Sequence, residues 1–323
     1  MRLGTRPMLS ALSAPLAWLG RQRARAVAAS IPLALLTPPL GRLLEPLLTE
    51  AVIGLLCIAF LRIEGDALRA LARRPREVLA ATLWSLVAIP ALFVAGVSAS
   101  GLEDGPMLPF TGLLLQALAS PMMATPALAA LMGLDATLVL ATLVLGTLVV
   151  PFSAPLFASL VTTGPALEPL ALGGALLAIL GGSALVGLGL RTAIGEARVR
   201  ARRDVVDGVN ILLLFAFVSA LMGGMGAELL RRPLLVLWLV LLAFAVFGAL
   251  LAVSAIVFLA LGGRRALAVG VACAHRNMGL MLAGTGGTVP ELTWLYVGAA
   301  QLPIYLSPIL LGPLVRWCGE EAG

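Results

Sequence analysis

The stretch CAHRNMGLMLA, residues 273–283, sets Arg276 near the middle of an apolar run from Ala266 to Thr285, beside His275, the only histidine in the chain. A guanidinium at the centre of a membrane helix costs about 2.5–3.5 kcal/mol on insertion scales. A run that carries one must offer it a partner. The stretch therefore reads as a membrane-embedded helix interrupted at His275, Arg276 and Asn277, and the rest of the chain has to explain the charge.

Composition agrees with a membrane setting. Of 323 residues, 60% are hydrophobic and 12% charged, with mean hydropathy +1.05. Soluble domains carry nearer half apolar and a quarter charged residues. The positive balance is all arginine, with no lysine. No basic patch interleaved with aromatics is present, which excludes a nucleic-acid partner and leaves the lipid bilayer as the surroundings. Cys57, Cys273 and Cys318 are too scattered for a disulfide framework or a metal site. HExxH, GxSxG and P-loop patterns are absent. The reading is not an enzyme, and no cofactor is implied.

A crossing needs about 20 mainly apolar residues. Ten segments meet that criterion: 26–44, 46–63, 77–98, 107–133, 137–162, 166–191, 205–226, 233–261, 266–286 and 291–317. Residues 1–25 form a basic leader expected to lie at the cytoplasmic membrane interface. With ten spans both termini share a side, and that side collects eighteen arginines against Arg42, Arg231 and Arg232 opposite. Positively charged loops stay cytoplasmic. Both termini are thus expected in the cytoplasm, with the protein in the cell (inner) membrane.

The spans divide into two sets of five, residues 26–162 and 163–323, and the fourth member of each is interrupted. Residues 107–133 contain Ser120, Pro121 and Pro126; residues 266–286 contain the His-Arg-Asn triplet. An odd number of spans per half inverts the second relative to the first. Inverted repeats with broken helices in corresponding places point to a transporter's binding site. The fifth members each carry paired prolines, Pro151 with Pro155 and Pro303 with Pro308.

Within QALASPMMATP, residues 116–126, two prolines remove backbone donors and clash with the preceding turn, freeing polar backbone in one short stretch. In lipid those groups need protein, water or ligand. One reading is an unwound segment whose carbonyls, with Ser120 and Thr125, face a cavity; the other is a kinked structural helix. Arg276 shares its depth with no carboxylate, since Glu77, Asp135, Asp207 and Glu291 fall at expected helix ends. Its partner is either helix-end carbonyls or an anionic substrate. Asn277 can serve either role. His275 is a packing residue or a proton carrier, and Gln116 and Gln301 are intramembrane amides that join helices or meet solute. The GTGG run, 284–287, reads as a turn.

A resemblance rests on these motifs. The run from Pro121 to Pro155, with Gly133-Leu134-Asp135 opening a helix that ends in Pro151 and Pro155, resembles the fourth and fifth helices of the bile acid:sodium symporter superfamily. RNMGL at 276–280 resembles that superfamily's broken ninth helix, and Arg73-Arg74-Pro75 its basic turn before the third. The resemblance implies an all-α integral membrane fold of ten helices, in two inverted five-helix repeats. It also implies a panel domain and a core domain, with broken helices 4 and 9 crossing at mid-membrane. The family's sodium ligands carry over poorly: its glutamate falls near Ala272, the glutamine before its asparagine at Arg276, its Ser-Asn pair near Thr125 and Pro126, its fifth-helix hydroxyls near Val139 and Leu143, and its third-helix glutamine near Ser85. Asn277 is kept. Sodium repels a guanidinium, so the expectation is a secondary transporter of a small anionic solute with Arg276 replacing the cation. Candidate binding residues are Gln116, Ser120, Thr125, Pro126, His275, Arg276, Asn277 and Gln301. Sodium- or proton-coupled symport of another solute, a channel, and a non-transporting membrane protein remain alternatives.

Overall fold

The computed structural model describes residues 6–22, 24–62, 73–100, 108–161 and 167–320. The expected loop charges Arg69, Glu103 and Asp104, and Arg2 and Arg23 of the leader, lie outside them. Among the described residues the chain is all helix, without strands. We label the helices α1 (Arg6–Gln22), α2 (Ala24–Leu36), α3 (Pro38–Leu61), α4 (Pro75–Ser100), α5 (Phe110–Leu118), α6 (Thr125–Leu131) and α7 (Ala136–Ala158). There follow α8 (Pro169–Ile194), α9 (Glu196–Ala201), α10 (Arg203–Arg231), α11 (Pro233–Val257), α12 (Gly263–Ala274), α13 (Met278–Gly284) and α14 (Glu291–Glu320). Seven of these, α3, α4, α7, α8, α10, α11 and α14, are long and apolar enough to cross a membrane. This is a multi-pass, all-α membrane protein.

Proline opens many of these helices. Pro38, Pro75, Pro126, Pro169 and Pro233 all sit in a first turn, where the missing N–H would be unpaired anyway. The first two expected spans need correction here. The break falls at Thr37 (φ −121°, ψ 58°), not between 44 and 46. A residue before proline is pushed out of the α region, so Pro38 ends α2 at 13 residues and begins α3. Pro46, in contrast, sits in the first turn of a short 3-10 segment, Glu45–Leu47, and α3 passes through it as one 24-residue span. The two broken spans are found as expected, 107–133 as α5 and α6, and 266–286 as α12 and α13. The GTGG run is a turn, with Gly286 at φ 65° and Gly287 at φ 74°.

The chain forms two compact units, residues 1–63 with 179–231 and residues 64–178 with 232–323. Each draws on both halves of the sequence, so the compact bodies and the expected five-helix halves partition the chain differently. In the first unit α1, α2 and α3 pack along α10. Gly20 of α1 and Gly208 of α10 meet so closely that a methyl group on either would overlap backbone. Gly41 and Gly223 do the same between α3 and α10, the small-residue contact that lets membrane helices approach. Arg62 closes this unit with an ion pair to Asp207 at 2.7 Å. Gly223→Leu would force α3 from α10, and we expect about 3 kcal/mol or more of destabilisation, read as a lower melting temperature of the detergent-solubilised protein.

The second unit holds two apolar cores. Met122, Val139, Phe247, Leu251, Leu267 and Val271 belong to one, and Val78, Ala81, Leu138, Phe258, Val269 and Cys273 to the other, so α12 serves both. The residues that carry the family resemblance meet here. Asp135 caps α7, its Oδ1 accepting from the Leu138 N–H at 3.0 Å, while its Oδ2 takes Arg74 at 2.8 Å; Gly133 supplies the positive φ of 72° that turns the chain. Asp135→Ala removes both interactions. A cap is worth about 1 kcal/mol and a half-exposed ion pair adds at most a few tenths, so thermal unfolding should show roughly that loss, with Arg74→Ala costing less.

Candidate functional site

Both broken helices stop for reasons visible in the residues. In α5 the chain leaves the helix at Ala119, which is extended (ψ 147°), and Pro121 could not have donated to Ala117. Helix α12 ends at His275 (φ −83°, ψ 83°), and Asn277 restarts the chain by capping α13, its Oδ1 accepting from the Leu280 N–H at 3.1 Å. Each gap leaves unpaired backbone where water is scarce. The two gaps satisfy one another: Pro121 and Arg276 lie opposite in an antiparallel bridge, Met122 donates to the His275 carbonyl at 2.7 Å, and Asn277 donates to the Ser120 carbonyl at 2.8 Å.

Arg276 sits at the centre of this stitch with no exposed surface. Its Nη1 donates to the Ala119 carbonyl at 2.6 Å, to the Ser85 hydroxyl at 2.8 Å and to the Ser85 carbonyl at 3.1 Å. Ala119 caps the C-terminal end of α5, where the helix dipole favours a cation. Ser85 is available because α4 contains a π-turn, Trp84–Ala88, in which the Ile89 N–H bonds back to the Trp84 carbonyl. In that register the Ser85 carbonyl would pair with residue 90, which is Pro90 and has no N–H. Arg276 supplies the missing donor. The other edge of the guanidinium, Nε and Nη2, is buried without any partner. The carboxylates that the sequence sets at helix ends have their own partners: Glu77 pairs with Arg265, Asp135 with Arg74, and Glu291 with Arg232.

The remaining candidates separate into two groups. Ser120 and Thr125 lie in the broken segment, both buried, with hydroxyls that find no partner; Pro126 follows in the first turn of α6. His275 is fully buried in the stitch. Its Nε2 lies 3.0 Å from the Ser307 hydroxyl, whose own hydrogen goes to the Ile304 carbonyl at 2.7 Å. That carbonyl needs it, because Pro308 cannot donate. The network assigns the Nε2–H tautomer and leaves Nδ1 as an unpartnered acceptor. Gln116, by contrast, accepts from the Tyr296 hydroxyl and ties α5 to α14. The Gln301 amide donates to Val297 of its own helix at 3.1 Å, leaving Oε1 unpaired.

Ser85 is the site residue that sequence reasoning did not rank, although it marks the place of the family's third-helix glutamine. Its signal was SLVAIP, residues 85–90, a serine five positions before a proline in an apolar helix. The arrangement can hold a cation-like charge rigidly on one edge and present the opposite edge, a planar two-donor fork, to an anion. Compared with protein-family models and with curated proteins, the chain matches none.

Proposed function

We propose that this protein is a secondary transporter of small monovalent organic anions, working by alternating access. The reading takes its architecture from the bile acid:sodium symporter resemblance: ten helices in two inverted repeats, panel and core, cytoplasmic termini, and the stitched segments at mid-membrane in the cell (inner) membrane. The interleaved composition of the two compact units and the mutual pairing of the two gaps support it.

One observation carries the substrate class. A fully buried guanidinium keeps its Nε and Nη2 edge without a partner while Nη1 is bonded three ways. Leaving charged donors unpaired in a core is costly. A carboxylate or sulfonate fits that edge with two parallel hydrogen bonds. In the relatives the resemblance points to, sodium supplies positive charge at the crossing; here Arg276 takes that role, with Ala272 where the family has its glutamate.

A thermal-shift screen of organic acids and amphipathic anions on the purified protein, with and without sodium, tests this directly. A ligand at 100 times its dissociation constant stabilises by about 2.7 kcal/mol. Monovalent anions are expected to raise the melting temperature equally in sodium and in choline. Strictly sodium-dependent stabilisation, or uptake with saturable sodium activation, would overturn the replacement of the cation by Arg276.

A second reading has its own observation. The three contacts of Nη1 make Arg276 a staple between α4, α5 and the start of α13, and a staple needs no substrate. It predicts no anion in the screen that stabilises the protein through Arg276.

A further inference from the structure

We infer that the site works as a one-for-one exchanger of monovalent anions, in which an empty core does not readily cross between its two open states. This rests on the anion-site reading above. The charge of Arg276 belongs to the crossing itself. Nη1 holds Ser85 and Ala119, and the residues on either side of Arg276 are bonded through their backbones to Met122 and Ser120. Whatever moves the stitched segments moves the charge with them.

Among the described residues no side-chain carboxylate pairs with it. Among the described residues the one buried acid is Glu228, which belongs to the other compact unit. Glu77, Asp135 and Glu291 are held by arginines at helix ends, and Glu168 is exposed. An empty site therefore carries one net positive charge, and the three N–H bonds on its Nε and Nη2 atoms have no acceptor. A bound monoanion neutralises the charge and gives those donors two oxygens. A low-dielectric interior penalises the bare, uncompensated charge more than the neutralised pair. The loaded core is consequently the form that crosses, in both directions. A dianion would leave the site negative, so the exchanged solutes carry a single charge, and one-for-one exchange moves no net charge.

Uptake into proteoliposomes separates the steps. The probes are radiolabelled gluconate and methanesulfonate, two membrane-impermeant monoanions, with succinate as the dianion, in sodium-free potassium sulfate with valinomycin clamping the potential at zero. We expect uptake of a monoanion to be about tenfold or more faster into vesicles preloaded with the same anion than into vesicles holding only sulfate, the scale set by an unpaired buried donor. Exchange should be unchanged by an imposed potassium diffusion potential, and succinate should neither enter nor drive exchange. Equal rates into loaded and unloaded vesicles would overturn exchange and leave the anion site standing. Exchange that accelerates with voltage would overturn the charge count. Absence of transport for both monoanions, together with no thermal shift by any anion, would overturn the site and the exchanger alike.

Discussion

Arg276→Gln is expected to weaken the binding of monovalent organic anions by roughly 30-fold to a few thousand-fold, about 2–5 kcal/mol, the range for removing one partner of a buried, hydrogen-bonded charge pair. Glutamine is the informative substitution because it keeps an uncharged polar group in the stitch, although it is two bonds shorter than arginine and does not reach the Ala119 and Ser85 acceptors that Nη1 serves. What disappears is the charge, both edges of the planar fork and the Nη1 contacts, so binding is compared with the melting temperature of the unliganded variant. Isothermal titration of an anion identified by thermal shift reads the change directly. Arg276→Lys separates the two contributions: it retains the charge without the planar fork and should fall between wild type and glutamine. If both variants bind every stabilising anion as wild type does, Arg276 is a staple only.

Asn277→Pro should destabilise the protein by about 2–4 kcal/mol, and Asn277→Ala by about 1 kcal/mol. The backbone at 277 has φ −79°, within reach of proline, so the ring itself introduces little strain. Two interactions are lost in the proline variant. The Ser120 carbonyl loses the N–H that reaches it at 2.8 Å, and α13 loses its cap on Leu280. Alanine removes the cap alone. Thermal unfolding of both variants therefore isolates the backbone bond between the two broken segments, and equal melting temperatures would mean that this bond contributes nothing. Because the same bond positions Arg276, the proline variant should also lose anion binding; the alanine variant should keep it.

Much of the layout was legible in the residues. The interruptions at Ser120 to Pro126 and at His275 to Asn277 were marked by prolines in one case and by three polar residues in the other. Gly133-Leu134-Asp135 marked the opening of α7, and the structure makes Asp135 its cap. At the first two spans the boundary was expected between 44 and 46, whereas Pro46 enters a first turn that tolerates it and Pro38 ends the preceding helix. It also failed to predict which helices break. Pro151, Pro155, Pro303 and Pro308 all lie inside unbroken helices. One reason is local: the Ser307 hydroxyl fills the donor that Pro308 lacks at Ile304. A nearby substitute donor lets the helix run on, and no pattern of prolines records that.

By itself the sequence determined that this is a helical membrane protein, that residues 107–133 and 266–286 are each interrupted, and that a lone arginine without an acid at its depth sits in one interruption. These follow from local chemistry: apolar length, missing N–H donors, and the cost of a charge in lipid. Only the tertiary structure decided what the arginine does with its two edges. That depends on a π-turn in α4 setting the Ser85 carbonyl opposite Pro90, and on residues more than 150 positions apart in the chain completing each other's backbone. Hydrogen-bond satisfaction in a core without water is a property of the assembled chain, so the residue was readable and its partners were not.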